Sequence, residues 1–207
     1  MTAGKKKPYS TTRDGLADFV RREIALEGKS KTVFVAGSGP AVIVMAEMPG
    51  ISPEVARFAR WVRDAGFTVY MPVLFGDPGR PVDSVLYALP VLVRGCIARE
   101  FHAFRANSSG PVALWLRGLA RLALSEAGGK GVGAIGMCFT GNFALSMMLE
   151  PAMLAPVLAQ PSLPIGKAAG LHIAPEELAA VKARMEAEDL TCLAYRFEGD
   201  KLCRAAR

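Results

Sequence analysis

Histidine is scarce in this chain: only His102 and His172 are present, far apart. There is no Cys-x-x-Cys pair and no cysteine–histidine cluster, so the usual zinc-site spacings are missing and no metal or cofactor is expected. The four cysteines, at 96, 138, 192 and 203, are widely and irregularly spaced. Lys5-Lys6-Lys7 is followed by no apolar stretch of the kind a signal peptide carries, so the thiols are expected to be reduced, in the cytoplasm. No apolar run approaches the length of a bilayer span, which argues against a membrane partner. Arginines occur singly at 60, 63, 80, 94, 99, 105, 117 and 121, without interleaved aromatic residues. The net charge of +6 therefore lacks the stacking platform of a nucleic-acid site, and no nucleic acid is expected. Repeats, low-complexity tracts and interdomain linkers are also lacking, and nothing in the sequence indicates an oligomeric state.

What remains is a chain of 207 residues, 51% apolar and 21% charged, which suits one globular domain with a real core. Residues 1–12 read as a flexible basic tail and 13–207 as the domain. Arg22 to Gly28 and Lys31 to Val35 predict a hairpin about a Gly28-Lys29-Ser30 turn. Ala41 to Ala46 is almost wholly apolar, as in a strand buried on both faces. Ser52 is a helix cap followed by Pro53 and Glu54, and Gly66 ends that helix before a strand at Phe67 to Met71. Val82 to Phe104 is apolar and helix-compatible but hard to segment. A helix follows over Val112 to Leu124, then strands at Val132 to Ile135 and Met153 to Leu158. A helix from Ala174-Pro175 to about Ala187 and a strand at Leu190 to Phe197 complete the pattern. Alternating strands and helices of this kind predict a mainly parallel sheet with helices on both faces.

Between the strand ending at Ile135 and the amphipathic run Phe143 to Leu149 lies Gly136-Met137-Cys138-Phe139-Thr140-Gly141. A strand, a tight turn and a helix would expose one side chain at the sheet's edge and aim backbone amides at an oxyanion formed there. The glycines leave room for a backbone that a bulky residue would strain. The match to Gly-x-Ser-x-Gly is incomplete, with cysteine for serine and Thr140 in the second glycine position. From these six residues alone, a nucleophile elbow and a buried cysteine on an ordinary strand–helix turn are equal readings. Cys96 and Cys192 fall inside apolar runs and read as packing residues.

Three segments resemble the dienelactone hydrolase family, a cysteine-nucleophile branch of the α/β-hydrolases. They are Ala41 to Ile51 with Phe67 to Phe75, then Gly136 to Gly141 with the Gln160 to Pro164 loop, and finally Phe197-Glu198-Gly199-Asp200. The resemblance implies an α/β-hydrolase-like fold and a carboxymethylenebutenolidase-type reaction on a small carboxylic ester or lactone. Cys138 would be the nucleophile, in a site that favours thiolate with help from the helix starting at Phe139. Asp200 would orient a catalytic histidine, against the alternative of a turn-forming Gly-Asp pair. Glu47, at a strand exit, would interact with the thiol and could accept its proton, although its charge opposes thiolate formation; a solvated loop glutamate is the alternative. The amides of Met48 and Phe139 match the family's oxyanion-hole donors. Arg94 falls near an arginine that contacts a substrate carboxylate in the family, but a surface arginine on a helix is the stronger reading.

The family pattern continues past the aspartate, through a further helix and strand, to a loop bearing histidine. Here Arg207 follows Asp200 by seven residues, and no histidine occurs after His172. The expectation is a domain lacking its last strand and helix elements, with an open edge at Leu190 to Phe197 and poor or no hydrolase activity. A non-catalytic member of the fold that binds a small molecule or a protein is the alternative. A redox thiol pairing Cys138 with Cys203 is a third, weaker reading.

Overall fold

The computed structural model describes residues 10–82, 84–107, 109–167, 170–200 and 203. Most of the basic tail, including Lys5 to Lys7, lies outside the described residues. The chain enters at Ser10, whose amide donates to Glu54 at 2.7 Å.

A hairpin comes first. Strands β1 (Val20–Leu26) and β2 (Lys29–Ala36) pair antiparallel, with Leu26 opposite Lys29. Glu27 and Gly28 make the turn, with φ of 51° and 72°, the left-handed pair that suits a two-residue hairpin loop. The turn expected at Gly28-Lys29-Ser30 is thus displaced toward the N-terminus, and Lys29 and Ser30 already belong to the ladder.

Five more strands complete the sheet among the described residues: β3 (Ala41–Met45), β4 (Thr68–Pro72), β5 (Val132–Met137), β6 (Met153–Ala159) and β7 (Leu193–Tyr195). Their order is β1-β2-β4-β3-β5-β6-β7, parallel from β4 through β7, with β2 antiparallel to β4. The helices are α1 (Pro53–Asp64), α2 (Val85–Ile97), α3 (Val112–Ala127), α4 (Gly141–Ser146) and α5 (Pro175–Ala187). Ser52 caps α1, its hydroxyl accepting the Val55 amide at 3.3 Å, with Pro53 in the first turn.

Strand alternation divides the core in two. Ile43 and Met45 of β3 and Tyr70 of β4 pack with Trp115, Leu116 and Leu119 of α3 and Phe143 of α4. Val42, Val44, Val69 and Met71 point the other way, against Val55, Ala56 and Ala59 of α1. Every residue of β3 and β4 is buried, which accounts for their unbroken apolar sequence. β3 is therefore the central strand of the sheet, covered on both faces.

Two elements depart from the sequence reading. The apolar stretch from Val82 resolves into α2, yet only Gly95 of that helix is buried, and Leu86 is 88% exposed. Apolar composition identified a helix there but not which face of it meets the core. At the other end, pairing at Leu193–Tyr195 is confined to three residues against Val157–Ala159. Among the described residues β7 pairs with β6 alone, and all three of its residues are exposed; it is shorter than the strand expected at Leu190 to Phe197.

The segment before β1 is fastened to α1 by charge. Arg60 lies 2.6 Å from Asp14 and 2.7 Å from Asp18, and Arg63 reaches Asp18 at 2.6 Å. Hydrogen bonds from Arg60 hold both carboxyls below the usual carboxylate range. A depressed folded-state pKa adds stability above the unfolded value, about 3.9, and that stability is lost as pH falls through it toward the folded value. Urea denaturation midpoints are expected to drop between about pH 5 and pH 3, and to drop less steeply in Arg60→Met, which already lacks the pairing. Parallel pH profiles for the two proteins would refute this role.

Candidate active site

At the end of β5 the backbone turns through Cys138, whose φ of 52° places a non-glycine residue in the left-handed region. A side chain pays for that conformation with local strain, and such residues persist only where the surroundings hold them. Here the hold is visible. Thr140, fully buried, accepts the Met137 amide at 2.9 Å through its hydroxyl oxygen. The same hydroxyl lies 3.0 Å from both the Met45 and Met137 carbonyls, so its single proton bridges the ends of β3 and β5. The residue that breaks the Gly-x-Ser-x-Gly pattern is the one that pins the turn.

The flanking glycines serve close approach. A Cβ on Gly136 would collide with the Thr140 carbonyl, and one on Gly141 with the backbone of Pro161. Beneath the turn, the Phe139 ring packs against Phe75, Phe101 and Phe143 at centroid distances of 5.2, 5.7 and 6.3 Å. That packing fixes the Phe139 backbone beside the sulfur.

Three strand ends converge on Cys138. Glu47 follows β3 and is half-buried; burial raises its carboxyl pKa, with a smaller contribution from Glu54. Asp200 lies beyond β7, where its Oδ1 accepts the Cys203 amide at 2.9 Å. Both carboxylates act electrostatically on the Cys138 thiol. The third group, Ser162, comes from the loop after β6. Its amide donates to the Cys138 carbonyl at 2.9 Å, and its hydroxyl lies 3.4 Å from Sγ. The sequence reading assigned Ser162 no role. Its only sequence signal was the proline-bounded Pro161–Pro164 loop at the sheet edge, which gives the loop but not the direction of its hydroxyl.

The surroundings of the thiol act on its ionisation in both directions. Burial raises its pKa most, and the charges of Glu47 and Asp200 raise it further; the Ser162 hydroxyl and the Phe139 N–H oppose them. The balance of these effects favours the thiol over the thiolate. The expected help from a helix N-terminus is small, because the turn is a 3-10 segment (Cys138–Thr140) leading into an α-helix of six residues.

Met48 follows Glu47, and its side chain packs against Gly95 of α2. Arg94 is exposed and lines a cavity of about 770 Å³ with Phe75, Tyr87, Glu100 and Phe101, a set that does not include Cys138. His172 is fully buried, its ring 5.7 Å from that of Phe143 and its Nε2 3.2 Å from the His102 carbonyl; burial lowers its pKa. His102 Nδ1 lies 3.1 Å from the Ser109 carbonyl. These contacts seat both imidazoles in the packing around α3 and α4. Among the described residues, no helix is long and apolar enough to cross a membrane.

Thr140→Val would leave the Met137 amide without its acceptor in a site closed to water. A loss of about 1–3 kcal/mol in unfolding free energy is expected by urea denaturation, with Thr140→Ser close to the parent. Equal stability of the valine variant would show that the hydroxyl does not pin the turn.

Comparison with known proteins bears on this arrangement. No curated protein sequence matches the chain. Among solved structures, one from Klebsiella pneumoniae assigned as a dienelactone hydrolase superposes with a TM-score of 0.52 at 16% identity, covering 87% of this chain and 85% of that one. Another, described as m3DLH, gives 0.51 at 21% identity over 89% and 83%. At these identities the likeness establishes the fold. Residues 28–164, which include β2 through the Ser162 loop and the whole Cys138 turn, match the profile of the dienelactone hydrolase family, and the chain belongs to that family.

Proposed function

We propose that the chain acts on a small carboxylic ester or lactone with Cys138 as the nucleophile. The observation that supports this reading is a cysteine held at φ 52° at the end of β5, with the Ser162 hydroxyl 3.4 Å from its sulfur and the charges of Glu47 and Asp200 acting on its thiol. A buried structural cysteine needs neither a strained backbone nor carboxylates near its thiol.

The two raised pKa values suggest how the first step runs. A carboxylate whose proton affinity is raised by burial is a better base for a thiol than an exposed one. With the substrate carbonyl over the turn, Glu47 takes the thiol proton as Sγ bonds to the carbonyl carbon. The oxygen then carries the negative charge, facing the amides of Met48 and Phe139. Collapse breaks the C–O bond, and the alkoxide leaves with the proton from Glu47. The products are a thioester on Cys138 and an alcohol, which stays tethered if the substrate is a lactone.

Completing the cycle requires water to attack that thioester, with a base to take its proton. Asp200 is positioned to orient such a base, but His102 and His172 are bound to backbone carbonyls elsewhere. Deacylation by these 207 residues is therefore slow. The proposed reaction needs a reduced thiol at Cys138, which suits a reducing compartment such as the cytoplasm.

With p-nitrophenyl acetate, about one equivalent of nitrophenol per chain should appear quickly and then nearly stop. Peptide mass spectrometry should locate the acetyl group on Cys138. Cys138→Ala should remove both burst and adduct, and Glu47→Gln should slow the burst by about 10²-fold. A burst that survives Cys138→Ala would exclude this nucleophile. Sustained turnover that depends on Cys138 would instead show that deacylation has a base.

A further inference from the structure

We infer that Ser162 is a positioning residue for Cys138, fixing the sulfur and donating its hydroxyl proton to it once the thiolate forms. This inference rests on Cys138 being the reacting thiol. The groups that act on the sulfur are Glu47 from the end of β3 and Asp200 from beyond β7 through their charge, and the Phe139 N–H and the Ser162 hydroxyl through hydrogen bonds. Ionised carboxylates can only accept hydrogen bonds, so neither Glu47 nor Asp200 can stabilise a thiolate. The Ser162 hydroxyl can do so without moving. While the thiol is protonated, Sγ–H can donate to Oγ; once the proton leaves, Oγ–H rotates to donate to sulfur across the same 3.4 Å.

The loop is built to keep that hydroxyl in place. On one side of Ser162, the Gln160 amide donates to the Tyr195 carbonyl at 2.6 Å, and Pro161 packs on Gly141. On the other, Asn142 Nδ2, itself buried, donates to the Leu163 carbonyl at 2.7 Å. The Ser162 amide is spent on the Cys138 carbonyl. Backbone and side chain of Ser162 thus grip Cys138 on both sides of its Cα, so its Oγ cannot drift without breaking the contacts that hold the elbow. A hydroxyl that only filled space would not need to be tied to α4, β7 and the turn together.

The test reads thiol ionisation, which does not depend on ester turnover. The full chain is alkylated with iodoacetamide across a pH series, and Cys138 is followed by peptide mass spectrometry with Cys96 and Cys192 as internal controls. Ser162→Ala should move the Cys138 midpoint up by about half to one pH unit and slow its labelling near neutrality by about three- to tenfold. Ser162→Thr, which keeps the hydroxyl, should retain the parental midpoint, and the midpoints of the two control thiols should not move. A packing role alone would change the rate equally at every pH and leave the midpoint unmoved. An unmoved or lowered midpoint in Ser162→Ala, a threonine variant that behaves like alanine, or a Cys138 inert at every pH would overturn the inference. Ser162→Gly removes the same hydroxyl and is expected to shift the midpoint likewise, which covers a folding defect peculiar to alanine. A shifted midpoint without an ester-derived adduct would sink the hydrolase reading and spare Ser162. An adduct with no shift would do the reverse.

Discussion

The hydroxyl of Thr140 occupies the junction on which the site depends. It satisfies the Met137 amide and places its proton between carbonyls of two neighbouring strands, β3 and β5. Those strands carry Glu47 and Cys138 at their ends, so a single buried hydroxyl sets the spacing between the carboxylate and the thiol. The left-handed backbone at Cys138 is then imposed from both sides: by Thr140 below, and by Ser162 bonding its carbonyl from the adjacent loop. Neither contact would suffice if β3 were mobile, and β3, like β4, is buried along its whole length, with its two faces packed against α1 and α3.

That hierarchy explains what was legible in the sequence. Features set by local rules could be read directly. Ser52-Pro53 announced a helix start, the apolar runs at Ala41 and Phe67 announced central strands, and the glycines around Cys138 announced an elbow. Features set by tertiary contact could not. The apolar content of α2 carried no information about how little of it would be covered. The hairpin turn shifted because the cross-strand register seats Lys29 and Ser30 in the ladder, leaving Glu27 and Gly28 to turn. Ser162 is silent in sequence because its importance is a direction, set by Asn142 and Tyr195 from distant segments.

Thr140 is the instructive misreading. As a pattern, it weakened the match to a nucleophile elbow; as a side chain, it replaces the freedom of a glycine with a fixed hydrogen-bond triangle. A glycine there would need some other group to satisfy the Met137 amide. The departure from the pattern is therefore compensated within the same turn, and the Cys138 backbone does not need the second glycine to reach its φ.

The electrostatics of the site reverse the simplest view of a cysteine nucleophile. A thiol surrounded by burial, Glu47 and Asp200 is kept protonated, and only Ser162 and the Phe139 amide pull the other way. Such an arrangement protects the sulfur from oxidation and alkylation between encounters, since the thiolate is the reactive form. It also links reactivity to the proton on Glu47. While Glu47 is ionised, its charge disfavours thiolate, yet it is a strong acceptor because burial raises its pKa. Once it takes the proton, its own repulsion disappears, leaving that of Asp200, and the Ser162 hydroxyl and the Phe139 N–H remain to stabilise the new thiolate. In the proposed reaction, transfer of one proton thus converts an unfavourable neighbour of the sulfur into a benign one. The carboxylate whose charge disfavours the thiolate is, in that proposed reaction, also the group that activates the thiol.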